Sequence, residues 1–167
     1  MFWKKTDSSE KKTAIKLYAV CVEMARKPSH YLDFDIRDEI LGRFEVLSVF
    51  LFVMLRRLKE EKTAEASTVS QKMVELFVED MDHSLRNARL SEKGIDRNFK
   101  RFIEGFFGRL TAYDMALEDD SLDRALYKNV YDSNNDCMSQ SSQLGSYVKA
   151  QLDHLKIQKN IHELCFI

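Results

Sequence analysis

The segment to test first for chemistry is Glu79-Asp80-Met81-Asp82-His83. On a helix Glu79 and His83 stand four apart and Asp80 and His83 three apart, the spacing at which a carboxylate and a histidine share a metal ion. A di-iron bundle uses that motif twice and adds lone carboxylates from two further helices. No second Glu-x-x-His or Asp-x-x-His occurs in the chain. The segment therefore reads as a solvated acidic helix face with one histidine, and no metal is expected.

Nucleophilic chemistry finds no better footing. No Gly-x-Ser-x-Gly elbow is present, and Cys21, Cys137 and Cys165 have no neighbours that would hold a thiolate. The cysteines form no Cys-x-x-Cys pair, so neither a zinc site nor a disulfide framework is indicated. His30, His83, His154 and His162 are scattered, and Gly105 and Gly108 sit inside a helical pattern rather than in a phosphate-cradling loop. The expectation is a protein without catalytic residues or cofactor, working by binding another protein.

Whatever does the binding must be positioned by helices. The chain has 167 residues, one proline (Pro28) and five glycines, with 44% hydrophobic and 32% charged residues. Few turn formers and abundant Lys, Glu, Leu, Met and Phe favour a single all-α domain, a compact bundle of about six amphipathic helices. A formal net charge of -1 gives no global attraction to nucleic acid or anionic lipid, and DNA is not an expected partner. Met1-Phe2-Trp3-Lys4-Lys5 opens a polar run with no apolar signal core, so the protein is expected to remain in the cytoplasm.

Periodicity predicts a first helix from about Ser9 to Lys27 behind a flexible lead-in over 1–10, ended by Pro28. Ser29–Asp35 reads as a loop whose Asp35 or Asp38 caps the next helix. That second helix, about Ile36–Glu61, carries the apolar run Val46–Leu55, too closely bounded by Arg43, Glu45, Arg56, Arg57 and Lys59 to span a membrane. It should be a central buried helix. Thr68-Val69-Ser70-Gln71 matches a capping box and predicts a third helix running to about Ala88. A turn around Leu90–Gly94 leads to the clearest stripe, Ile95, Phe99, Phe102, Ile103, Phe106, Leu110, Tyr113 and Leu117. Asp119-Asp120-Ser121 starts a shorter helix, Ser133–Asp136 is a turn, and a last helix carries Leu144, Tyr147, Val148, Gln151 and Leu155. The tail, 156–167, is too apolar for a solvated end and should dock on the body or on a partner. Phe44, Leu47, Leu51, Phe77, Phe99, Phe102 and Phe106 are expected in one core.

Two local features call for a reason. Gly105 and Gly108 each cost ~1 kcal/mol against Ala inside a helix, which implies close approach of a neighbouring helix, or a notch at Gly108 beside Arg109 and Tyr113. Lys4, Lys5, Lys11, Lys12, Lys16, Arg26 and Lys27 outnumber Asp7, Glu10 and Glu23 near the N-terminus, a patch that suits RNA, a ribosome, a membrane surface or plain solvent.

Three stretches resemble the ubiquinol–cytochrome c chaperone family. They are Gly42-Arg43-Phe44-Glu45-Val46-Leu47 leading into Arg56-Arg57-Leu58, the run Phe77–Arg86, and Phe106-Phe107-Gly108-Arg109-Leu110-Thr111-Ala112-Tyr113-Asp114-Met115-Ala116-Leu117. The resemblance covers about Tyr31 to Tyr147, with Arg89-Leu90-Ser91-Glu92 standing where the family has a Gly-Val-Gly-Asp-type turn. It implies a chaperone that holds newly made cytochrome b during assembly of the quinol–cytochrome c reductase, with a second assembly factor as a further partner. The compact chain is similar to bacterial members, which implies a cytoplasmic protein peripheral to the inner membrane. The alternative from another class is a helical binding protein for a small apolar ligand such as a quinone or lipid.

The residue-level expectations follow. If the third and fourth helices form an antiparallel hairpin, Arg109 can grip Asp80 or Asp82 bidentately as a structural pair. Asp80, Phe106 and Gly108 then belong to the structural motif. Asp82, Arg86, Phe107 and Tyr113, with Arg109 at their edge, form the partner-binding surface. A cavity in the body would favour the small ligand; a shallow apolar groove rimmed by Arg109 and Asp82 would favour the chaperone.

Overall fold

The structure, a computed structural model, describes residues 3–87, 92–132 and 135–167. Its elements are α1 (Trp3–Ala25), α2 (Pro28–Asp33), α3 (Ile40–Glu61), α4 (Ala64–Asn87), α5 (Glu92–Glu118), α6 (Leu122–Val130) and α7 (Met138–Lys156). Short 3-10 turns occupy Asn135–Cys137 and Ile161–Glu163. Among the described residues there is no strand, and the all-α bundle expected from periodicity is the observed architecture. The turn expected around Leu90–Gly94 begins outside the described residues, and α5 is already under way at Glu92. Ser133, Asn134 and the side chain of Ile95 also lie outside them.

α3 is the pillar. Every residue from Phe44 to Met54 is buried, which a helix achieves only when neighbours cover all its sides. α1, α4, α5, α6 and α7 all pack on it. Phe44, Leu47, Leu51, Phe77 and Phe106 lie in the one continuous core, and Phe102 packs against it partly buried. Phe99 is half-buried outside this cluster.

Three local features differ from expectation. Ser29–Asp35 is not a plain loop: α1 stops at Ala25 and Pro28 opens α2. Proline ends one helix and starts the next because its missing N–H is unneeded in a first turn. α2 matters to packing through His30, which is buried among Phe34, Phe50 and Tyr147 with ring centroids 5.0 Å from Phe50 and 5.5 Å from Tyr147. Second, α4 begins at Ala64 rather than at Thr68. Thr63 caps it by accepting from Ala66 N–H (3.2 Å), while Thr68 donates back to the Ala64 carbonyl. The strong helix formers Ala64–Ala66 and the burial of Ala66 favour the earlier start. Third, neither Asp35 nor Asp38 caps α3, whose N-cap is Glu39. Asp35 takes a left-handed φ of 51° and Asp38 pairs with Arg43 at 2.6 Å. Gly42 lets the Arg37 carbonyl pack onto this first turn, since a Cβ there would lie 1.8 Å from that oxygen.

The last residues lie against the body. Leu164 is buried, and Phe166 meets Phe50 edge to face at 5.0 Å. The Gln151 amide donates to the Ile167 carbonyl (3.1 Å) and accepts from its N–H (3.0 Å); Gln158 makes the same two-way bond with Cys165. Arg57 closes the end of α7, donating to the Leu155 carbonyl (3.0 Å), the Gln158 carbonyl (2.8 Å) and Glu61 (2.6 Å). A cation at a helix C-terminus satisfies carbonyls that the helix leaves open.

Two tests follow from this packing. Leu51 is 1% exposed, so Leu51→Ala should cost ~2–5 kcal/mol in urea unfolding. Burial first, and Lys27 second, hold the His30 imidazole below its ordinary 6.5, against a smaller upward pull from Asp33. The unfolded chain then binds a proton that the folded one refuses. Stability should be full above pH 6.5 and fall as pH drops from there toward the folded value. Melting curves at pH 7.5 and 5.5 should show a smaller acid loss in His30→Phe than in the wild type.

Candidate functional site

Arg109 is held, but not by α4. Its guanidinium forks onto both carboxylate oxygens of Glu45 on α3, donates to the Gly105 carbonyl at 2.9 Å, and lies 5.1 Å from the Phe44 ring centroid. The expected partners are engaged elsewhere. Asp80 accepts from the Tyr18 hydroxyl at 2.8 Å and Asp82 from Arg86 one turn on, at 2.7 Å. The pairing goes to Glu45 because an almost completely buried carboxylate has the greater need of a partner. Burial pushes the Glu45 carboxyl above its ordinary value even with the guanidinium pulling it down. The sequence signal for this residue was a lone acid heading an apolar run interrupted only by Ser48.

The pair also explains a glycine. A Cβ at Gly105 would sit 2.9 Å from Arg109 Nη1, so the space belongs to Arg109's own side chain rather than to a neighbouring helix. A Cβ at Gly108 would meet nothing within 4 Å. With Arg109, Ala112 and Ala116, Gly108 lines a broad, open depression of about 770 Å3 between α5 and α6.

The surface expected from Asp82, Phe107 and Tyr113 is not one surface. Tyr113 is 0% exposed, edge-on to Phe52 at 5.4 Å, so it offers nothing to a partner. Its ring supplied the apolar periodicity while its hydroxyl suggested an exposed edge. Phe106 packs against Phe77 in the core, ring centroids 4.2 Å apart and the rings tilted. Phe107 is 47% exposed and borders a cleft of about 320 Å3 with Phe52, Leu55 and Leu110. Asp82 and Arg86 stay on the outer side of α4 as an exposed pair.

A different groove, apolar and walled by residues of α1, α2, α3, α4 and α5, lies elsewhere on the bundle. Val22 and Ala25 of α1, Arg26 just beyond it, Tyr31 and Leu32 of α2, Ile40, Arg43, Phe44 and Leu47 of α3, Met81, Ser84 and Leu85 of α4 and Phe102 of α5 line about 720 Å3. Leu32 (79% exposed) and Ile40 (68% exposed) stand at its mouth. Charged groups mark the rim: Arg26, the Asp38–Arg43 pair, and Asp80 anchored by Tyr18. The Tyr31 hydroxyl donates to the Ala25 carbonyl at 2.6 Å, tying α2 to the end of α1 and fixing this wall. The groove was invisible in sequence because α2, which supplies one wall, read as a loop.

The enclosed void among His30, Phe34, Phe50 and Tyr147 measures about 10 Å3, room for on the order of one water. Cys21 is fully buried against the Phe50 carbonyl and burial raises its thiol well above the ordinary range, so it is no nucleophile.

The sequence model for the family described as ubiquinol-cytochrome C chaperone matches residues 32–162. The chain belongs to the ubiquinol-cytochrome c chaperone family. The crystal structure of the Cbp3 homolog from Brucella abortus superposes with a TM-score of 0.83 at 27% sequence identity, covering 98% of this chain and 91% of that one. No curated protein matches the sequence. All three stretches that carried the resemblance lie within the matched region, and a family of chaperones implies a non-enzymatic role. Among the described residues no helix is long and apolar enough to cross a membrane.

The pair yields a test. Arg109→Ala should lower unfolding free energy by ~3–5 kcal/mol, since it strands a buried carboxylate. Replacing both partners by apolar residues, Glu45→Leu with Arg109→Met, should recover most of that loss in the same urea titration.

Proposed function

We propose that this chain is a holding chaperone for cytochrome b during assembly of the ubiquinol–cytochrome c reductase, and that the groove between α1, α2, α3 and α4 receives an apolar segment of that client. The family membership supports the chaperone role, and the observation that carries the site is the open groove itself. Its apolar walls suit a membrane-protein segment that has left the ribosome and not yet found its neighbours. Met81, unbranched and polarizable, can adapt to varied side chains. The client is a multi-span membrane protein, so the encounter takes place at the membrane surface.

The small-ligand alternative draws less support. The groove's volume lies within the range of small-molecule sites, but it lies open to solvent, whereas such ligands are normally enclosed on most sides.

Affinity capture from membranes solubilised in mild detergent should bring down cytochrome b with the wild type. The double variant Leu32→Asp with Ile40→Asp should lose capture on the order of tenfold, the effect of setting unpaired carboxylates in an apolar contact, while melting as the wild type does. Phe107→Ala, on the separate cleft, should retain capture. Loss of capture in Phe107→Ala with retention in the double variant would move the site to the α3–α5 cleft.

A further inference from the structure

Arg43, Arg56, Arg57, Lys59, Arg86, Lys100, Arg109, Lys149 and Lys156 each sit within ion-pair distance of an acid. Three cations clustered on one face of α1 do not. Lys11, Lys12 and Lys16 on α1 are exposed and make no ion pair or hydrogen bond among the described residues. At about 100° per residue, they share an arc of ~140° with Ile15 and Ala19. The opposite side of the same turns, Thr13, Ala14, Leu17 and Cys21, is buried in the bundle. The neighbouring acid Glu10 falls outside the arc, and Glu23 lies about two turns further along. Lys4 and Lys5 precede Lys11 and Lys12 by seven positions, two turns of the same helix.

Within this cationic arc one large apolar side chain is open to solvent: Ile15 is 46% exposed. A polyanion groove would pair its cations with arginine forks or stacking aromatics. Lysines around a protruding aliphatic residue on a straight helix instead match a flat layer of anionic headgroups above hydrocarbon.

We propose that the Lys11, Lys12, Ile15, Lys16 face of α1 docks on the anionic lipid surface of a membrane. The far end of the same helix contributes Val22 and Ala25 to the apolar groove, and Arg26 follows directly after it. Docking through α1 therefore sets that groove beside the bilayer, where an apolar segment leaves or enters lipid. The contact with lipid does not depend on which client is held, and it is read without any client.

The test is flotation of the purified protein with vesicles of phosphatidylcholine alone and of phosphatidylcholine with phosphatidylglycerol in equal parts. The wild type should float with the anionic vesicles and not with the neutral ones, and about 0.5 M salt should release it, as screening requires. Lys11→Glu with Lys12→Glu and Lys16→Glu should lower the bound fraction at least about tenfold; the corresponding triple Gln variant should lower it less and provides the measurement if the Glu variant does not fold. Ile15→Asp, with every lysine kept, should also weaken binding. Equal flotation of wild type and triple variant, equal binding to neutral vesicles, or no binding to either would overturn the proposal. So would binding of the wild type to a ribosomal RNA fragment, lost in the triple variant, without binding to vesicles; that outcome gives the face to RNA.

Discussion

A helix that is apolar on every side has to be wrapped, and the wrapping of α3 dictates where the other helices go. Phe44–Met54 leaves no face for solvent, and transfer of side chains of this size from water is the largest favourable term available to a domain of this length. The cost falls on the polar groups drawn inside with it. Glu45 at one end and Arg57 at the other are both buried, and each is matched by a partner that only the assembled bundle supplies. Glu45 recruits Arg109 from α5, and Arg57 recruits the carbonyls that end α7. These polar attachments fix rotation and register along a surface whose apolar contacts are otherwise tolerant of sliding. They select an arrangement more than they add to net stability.

How far the sequence could be read depends on the range of the interactions involved. The Phe102, Phe106, Tyr113 stripe and the apolar run of α3 are local, periodic signals, and they placed the core and the fold class. Glu45 with Arg109 spans 64 positions, and no spacing rule connects such a pair. A hairpin argument pointed to the nearer acids, Asp80 and Asp82, because it could weigh proximity but not burial. Pro28 illustrates a different gap: one residue both ends α1 and starts α2, and only the second role builds a groove wall. Tyr113 shows a third, because an amphipathic residue carries the same signature whether its ring is at an edge or inside.

The division of labour on α5 follows from this. One side of the helix, through Phe106, Arg109 and Tyr113, is committed to the body, while Phe107, Gly108 and Met115 face outward. The family motif that looked most like a binding surface is in large part the part of the helix that holds α3 in place. The groove proposed for a client lies instead where α1, α2 and α4 fail to close over the first turns of α3, and the exposed Leu32, Ile40 and Leu41 are what remains unburied there.

The clasp made by Arg57 also bears on how the protein comes off the ribosome. Its two carbonyl acceptors are 98 and 101 positions downstream, and the edge-to-face cover on Phe50 comes from Phe166. The most apolar helix of the chain is thus translated early and sealed last. Throughout elongation α3 must wait with its α7 side bare, and contacts of such long sequence separation close slowly. A member of a chaperone family therefore passes through a stage of apolar exposure itself, and its own maturation is completed only after synthesis has reached the far end of the bundle.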